Sequence, residues 1–167
     1  MNRSQILDHQ AIAQKTRRMA HQIVEENYDV KELLVIGIIP GGLEYAAFLI
    51  AEIKLISKVK IELFSLQLNK KNPLATSIDL ARKNSSLDEK TVLLVDDVAN
   101  TGKTLYYALK PVMDFSPRKV QIAALVDRQH KLFPVSCDFV GLSLSTTLQE
   151  HISVVHEKHD EWKAFLD

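Results

Sequence analysis

The sequence predicts an α/β fold in which a parallel sheet is flanked by helices. Three observations lead there. Apolar runs of strand length, rich in β-branched residues, occur at Leu33–Ile38, Val92–Val95 and Val120–Val126, as in strands buried on both faces. They alternate with segments of helical spacing, giving three strand–helix alternations. Each run ends in a polar or glycine-bearing cluster, and right-handed crossovers put those ends on one rim of the sheet. In open α/β sheets that rim is where ligands bind.

Taken in order, Ile6–Asn27 reads as an amphipathic helix with Ile12, Thr16, Met19, Ala20, Ile23 and Val24 on one side. Asp8 or Ser4 would start it. Lys15, Arg17 and Arg18 form a small basic cluster on it, read first as a solvated face. Leu33–Ile38 is a strand closed by Ile39-Pro40-Gly41-Gly42, and Leu43–Ile53 shows helical spacing through Ala46, Ala47, Ile50 and Ile53. Val59–Leu66 alternates as a strand. From Gln67 to Glu89 polar turn clusters surround a short strand at Thr76–Leu80, a pattern that suits a hairpin or a flap. Leu105–Phe115 reads as a helix ended by Ser116-Pro117. Phe139–Leu142 and Ile152–Val155 read as late strands, and Glu161–Phe165 as a terminal helical turn.

The richest stretch is Thr91–Leu105, TVLLVDDVANTGKTL. A buried strand delivers two acids, Asp96 and Asp97, to the sheet edge, and Asn100-Thr101-Gly102-Lys103-Thr104 turns into a helix. Unpaired N–H groups and the dipole of a helix start favour a phosphate there. Thr101 and Thr104 add hydroxyl donors, and Gly102 allows close backbone approach. Carboxylates beside such a turn suit a ligand with sugar hydroxyls. An Asp-Asp pair by itself is more often a solvated cap; the full ordered pattern outweighs that here. The spacing is not that of a nucleotide P-loop.

This stretch resembles the 5-phosphoribosyl-1-pyrophosphate (PRPP) signature of type I phosphoribosyltransferases. Ile6-Leu7-Asp8, Val95–Thr104 and Leu125–His130 through Asp138–Gly141 further resemble the pyrimidine-operon attenuation protein family. The resemblance implies one domain with a small hood at about 127–150 and a flexible loop at about 67–89. Members of that family can bind a messenger-RNA leader to regulate pyrimidine genes, and many also convert uracil and PRPP to UMP. By that resemblance Asp96 and Asp97 take the ribose hydroxyls, Asn100–Thr104 the 5′-phosphate, and Pro40-Gly41-Gly42 the pyrophosphate. Val126, Asp127 and Arg128 form a wall of the base site under a hood from Phe139–Thr147. Mg²⁺ is held mainly through PRPP. Dimers or higher homo-oligomers are common in the family.

Several positions depart from the family pattern. Ile39-Pro40-Gly41-Gly42 stands where a basic Lys-Thr-Arg-Gly loop is usual, and Gln67-Leu68-Asn69 where Arg-Asp-Asp is. Leu142 and Leu148 replace a Lys and an Arg. Backbone N–H groups of Gly41 and Gly42, with Lys70, Lys71, Arg82 or Lys83 swinging in, would have to serve the pyrophosphate. Arg82 is the candidate lid residue. The rival expectation is a PRPP- or nucleotide-sensing regulator that binds RNA with weak or no catalysis.

Composition narrows the field. Length and composition, at 167 residues with 46% apolar and 25% charged, suit one globular domain. Basic and acidic residues balance at 21 each, which argues against strong RNA affinity. A single cysteine, Cys137, fits a reducing compartment and reads as a packed thiol, not a nucleophile. No apolar run reaches membrane-spanning length, so a cytoplasmic protein is expected. His156, His159 and Asp160 have metal-like spacing but read as surface residues.

Overall fold

The computed structural model describes residues 3–82, 85–145, 150–157 and 160–167. The chain runs β1 (Ser4–Leu7), α1 (His9–Glu26), β2 (Glu32–Ile38), α2 (Gly41–Ile56), β3 (Lys60–Gln67) and β4 (Asp79–Ala81). It continues with β5 (Thr91–Ala99), α3 (Lys103–Ala108), β6 (Lys119–Arg128), β7 (Phe139–Leu144), β8 (Ile152–Glu157) and β9 (Glu161–Leu166).

The main sheet has the order β4-β3-β2-β5-β6-β7, parallel except for β4, which pairs antiparallel with β3. β5 lies near its middle because its residues are apolar on both sides. Leu93 and Val95 pack into one core with Ile12, Met19 and Ile23 of α1 and Tyr45, Leu49 and Ile53 of α2. Val92 and Leu94 pack into the other with Leu105 and Ala108 of α3 and with Val112. Helices on both faces leave only the strand ends open, and the carboxyl rim carries the site. At Gly37 a side chain would press within 2.6 Å of the Leu43 backbone, so this glycine lets α2 lie close on β2.

A second sheet, order β1-β9-β8, is antiparallel and joins the two ends of the described chain. Trp162 of β9, almost fully buried, docks it on α2 through edge contact with Tyr45 at 6.0 Å and stacking on Phe48 at 5.8 Å.

Four sequence expectations change. Ser4–Leu7 is a strand, and the helix begins after Asp8, whose carboxylate accepts from Ala11 N–H at 2.8 Å. Glu161–Phe165 is strand, not helical turn: Trp162 and Ala164 alternate inward in β9, a period of two that six residues show only faintly. The helix read over Leu105–Phe115 stops at Ala108 and continues as turns, because Pro111 has no N–H and its ring would meet the Tyr107 carbonyl. Phe139–Leu144 becomes the edge strand of the main sheet, so the smaller layer draws on β1, β8 and β9 and not on residues 127–145. Thr147, named for the hood, and Leu148 lie outside the described residues. Among the described residues no helix is long and apolar enough to cross a membrane.

Candidate active site

The carboxyl ends of β2 and β5 meet at Gly41, Gly42, Asp96 and Asp97. A side chain built on Gly41 would fall 2.3 Å from the Asp97 carboxylate, and one on Gly42 would fall 2.6 Å from the Val95 carbonyl and 2.8 Å from the Asp96 backbone. The loop thus lies close on the acid pair, against backbone at Gly42 and against the end of the Asp97 side chain at Gly41. The Ile39–Pro40 peptide ahead of them is cis.

Next to this contact lies a cleft of about 410 Å³. One wall is Asp96 and Asp97 with the whole turn Asn100-Thr101-Gly102-Lys103-Thr104; the other is His151 with the start of β8, Ile152–Val154, and Lys70 stands at the side. Gly102 takes a left-handed φ of 82°, the conformation that favours glycine. α3 has only six residues, so the dipole expected from a long helix is short, and the turn's own N–H groups matter more. His151 and Ser153 were not singled out in the sequence. They are fifty residues from the turn, and no motif marks them.

Asp96 is buried and Asp97 lies at the mouth. Burial, and then the neighbouring Asp97 charge, pushes the Asp96 carboxyl well above the usual carboxylate range, while Lys70 draws it back. Lys70 Nζ sits 3.1 Å from Asp96 and 3.8 Å from Asp97. Burial pulls the Lys70 ammonium down, but the two carboxylates outweigh it and its pKa is raised. Local structure presents this lysine: the Asn69 side chain accepts from the N–H groups of Lys71 at 3.1 Å and Asn72 at 3.0 Å, tying a turn that aims Lys70 at the acids. Lys103 closes the same side by donating to the Lys71 carbonyl at 3.2 Å.

The sign of the Asp96 shift gives a testable consequence. A carboxyl raised by folding contributes stability that is full below its unfolded value, near 4, and lost as pH rises through the folded value. Asp96→Asn removes that loss. The variant is expected to melt a few degrees above the wild type at pH 8, with the gain shrinking toward pH 4. Equal melting temperatures across this range would show that Lys70 fully offsets the burial.

The other expected residues are distributed unevenly. Val126, Asp127 and Arg128 end β6, one strand over; the ladder sets Asp127 beside Ala99. Val126 is fully buried, and Asp127 is ion-paired with Lys131. Arg82 is not brought to the cleft. β4 runs antiparallel, so the chain after Ala81 heads away from the rim. There Arg82 donates to the Ser85 carbonyl at 2.6 Å and lies over Phe115, 4.5 Å from its ring centre. Lys83 lies outside the described residues. In the basic cluster, Arg18 is committed to the carbonyls of Val140 and Gly141 at 3.0 and 2.7 Å, and Arg17 pairs with Glu52 at 3.4 Å.

The Cys137 thiol is pushed up to about 12 by burial and then by Asp127, which leaves it protonated and inert near neutrality. His156 stacks on Trp162 at 4.3 Å, with its ring nitrogens 3.1 Å from Glu44 and 2.7 Å from Asp160. His159 lies outside the described residues, and among those described no group of three or more His, Cys, Asp or Glu could hold a metal.

Comparison with known proteins agrees with this arrangement. The phosphoribosyl transferase domain family matches residues 2–161. The Bifunctional protein PyrR of Brevibacillus brevis is 37% identical over 161 residues, 92% of this chain and 90% of its own length. That of Clostridioides difficile is 33% identical over 92% of this chain and 91% of its own. Among solved structures, a hypoxanthine-guanine phosphoribosyltransferase from Bacillus anthracis shares the fold with a TM-score of 0.75 at 20% identity, over 96% of both chains. A hypoxanthine phosphoribosyl transferase of Trypanosoma cruzi gives 0.72 at 18% identity, over 84% of this chain and 78% of its own. The chain belongs to the phosphoribosyltransferase family and, within it, to the branch of the bifunctional PyrR proteins.

Proposed function

We propose that this protein transfers ribose 5-phosphate from PRPP to a nucleobase, uracil, giving UMP and pyrophosphate. The observation that carries the reading is the convergence of the Gly41 loop, the acid pair and the Asn100–Thr104 turn at one sheet rim. The turn binds the 5′-phosphate through backbone N–H groups and the hydroxyls of Thr101 and Thr104. Asp96 and Asp97 accept from the ribose hydroxyls, and their charge favours the oxocarbenium-like ring of the transition state. Gly41 and Gly42 offer backbone to the pyrophosphate, and Val126, Asp127 and Arg128 border the base. No covalent nucleophile is needed.

Mg²⁺ fits as an ion brought by the substrate. The two neighbouring carboxylates, Asp96 and Asp97, suit a hard ion that keeps phosphate oxygens and water in its shell. When bound, it neutralises charge on the leaving pyrophosphate. Lys70, which lines the cleft, leaves Asp96 when ribose binds and can then serve the pyrophosphate. We further infer a single cytoplasmic domain that forms dimers or higher homo-oligomers.

The deciding experiment is formation of UMP and pyrophosphate from uracil, PRPP and Mg²⁺ by purified protein. Turnover is expected. No product with any base, while PRPP still binds, would favour a second reading: a PRPP- or nucleotide-sensing regulator that binds a pyrimidine leader RNA. Lys70 on the acid pair and a loop without side-chain cations support that alternative. The commitments of Arg17 and Arg18 within the protein weigh against its RNA arm.

A further inference from the structure

The segment Lys131-Leu132-Phe133 lies directly under the phosphate turn and outside every role assigned so far. Lys131 Nζ donates to the carbonyls of Ala99 at 3.2 Å, Asn100 at 3.1 Å and Arg128 at 2.8 Å, and pairs with the Asp127 carboxylate. The N–H groups of Leu132 and Phe133 both reach the Thr101 carbonyl, at 2.9 and 3.1 Å. Three successive carbonyls of the turn, 99, 100 and 101, thus accept from one three-residue segment.

That has a geometric consequence. In a planar trans peptide the C=O and the following N–H point in opposite directions. Fixing carbonyls 99, 100 and 101 toward the segment beneath turns the N–H groups of Asn100, Thr101 and Gly102 to the opposite, cleft side. Successive N–H groups held in this way make an anion-binding concavity. The underlay is within contact distance of the turn: a Cβ on Gly102 would lie 3.4 Å from the Phe133 carbonyl and 3.5 Å from the Lys131 stem, ordinary van der Waals contact. It is also anchored, because the Phe133 ring packs against Tyr106 at 5.4 Å and Tyr107 at 6.1 Å on α3.

We propose that Lys131 is the positioning residue of the phosphate turn: it holds the Ala99 and Asn100 carbonyls so that the turn's N–H groups face the ligand. This rests on the phosphate-binding reading of residues 100–104. Lys131 is not itself the phosphate ligand, since its ammonium has three protons and these are directed to backbone carbonyls and Asp127. Because Asp127 borders the proposed base site, the same ammonium ties that wall to the phosphate turn. A charged bond across β5 and β6 is stronger than the neutral contacts around it.

The test compares wild type, Lys131→Met and Lys131→Arg for binding of ribose 5-phosphate by calorimetry, and for amide hydrogen exchange over residues 99–104 without ligand. Lys131→Met is expected to bind ribose 5-phosphate at least tenfold more weakly and to exchange faster across the turn. Lys131→Arg, which keeps the charge and donors, should recover most of both, and it carries the test if the Met variant does not fold. Binding by Lys131→Met within twofold of the wild type would overturn this role alone. Weaker binding with unchanged exchange would mean that Lys131 touches the phosphate directly, which also sinks the positioning role. Failure of the wild type to bind ribose 5-phosphate would remove the reading of residues 100–104 and this role with it.

Discussion

Asp97→Asn is expected to lower the rate of UMP formation by about 10²- to 10³-fold, the usual cost of removing one preorganised electrostatic contact to a transition state. Asn keeps the volume and one acceptor oxygen but removes the charge that favours the developing cation on ribose. The fold should survive. The Asp97 side chain lies at the cleft mouth, its backbone N–H still reaches the Asp96 carboxylate at 3.1 Å, and Lys70 keeps its contact with Asp96. Steady-state kinetics beside a melting curve make the check. Unchanged kinetics in a folded variant would take the acid pair out of the mechanism.

The second large effect separates two adjacent glycines. At Gly41 an added methyl would meet the end of the Asp97 side chain, which can swing aside. Gly41→Ala is therefore expected to stay folded while displacing that carboxylate, raising KM for PRPP at least tenfold. At Gly42 the methyl would meet the Val95 carbonyl and the Asp96 backbone, neither of which can rotate away. Gly42→Ala should then act as overpacking and destabilise the protein by roughly 1–3 kcal/mol. Paired measurements of PRPP kinetics and urea unfolding read the contrast. Equal loss of stability in both variants would mean that Asp97 is as rigidly held as the backbone.

Much of the fold was legible because the central strands of the main sheet, β2, β5 and β6, are buried on both faces. Burial on both faces writes an uninterrupted apolar run, and Leu33–Ile38, Val92–Val95 and Val120–Val126 carry one. α1 was legible for a related reason: its inward stripe repeats over eighteen residues, long enough for the period to stand out. β1 and β9 were not. Each is short and lies in a three-stranded sheet, where half the residues face outward, so six residues such as Glu161–Leu166 fit either period. Pro111 is the local signal that α3 is short, and the apolar spacing around it masks that signal.

The site divides along the same line. The acid pair and the turn that follows it are contiguous, so the sequence alone determined their order, their chemistry and their place at a strand end. By its residues alone the Gly-Gly loop reads as a weak phosphate-loop signal or, equally well, as a structural turn. What gives it meaning is its closeness to Asp97, fifty-six positions away in sequence: a Cβ added at Gly41 would fall 2.3 Å from that carboxylate. Lys70 on the acids, Lys131 beneath the turn, Arg82 turned away over Phe115, and β8 as the second wall were decided by the tertiary structure alone. Each depends on a distance between segments far apart in the chain. A sequence states which side chains could pair, whereas the crossovers and the packing of the two sheets decide which of them meet.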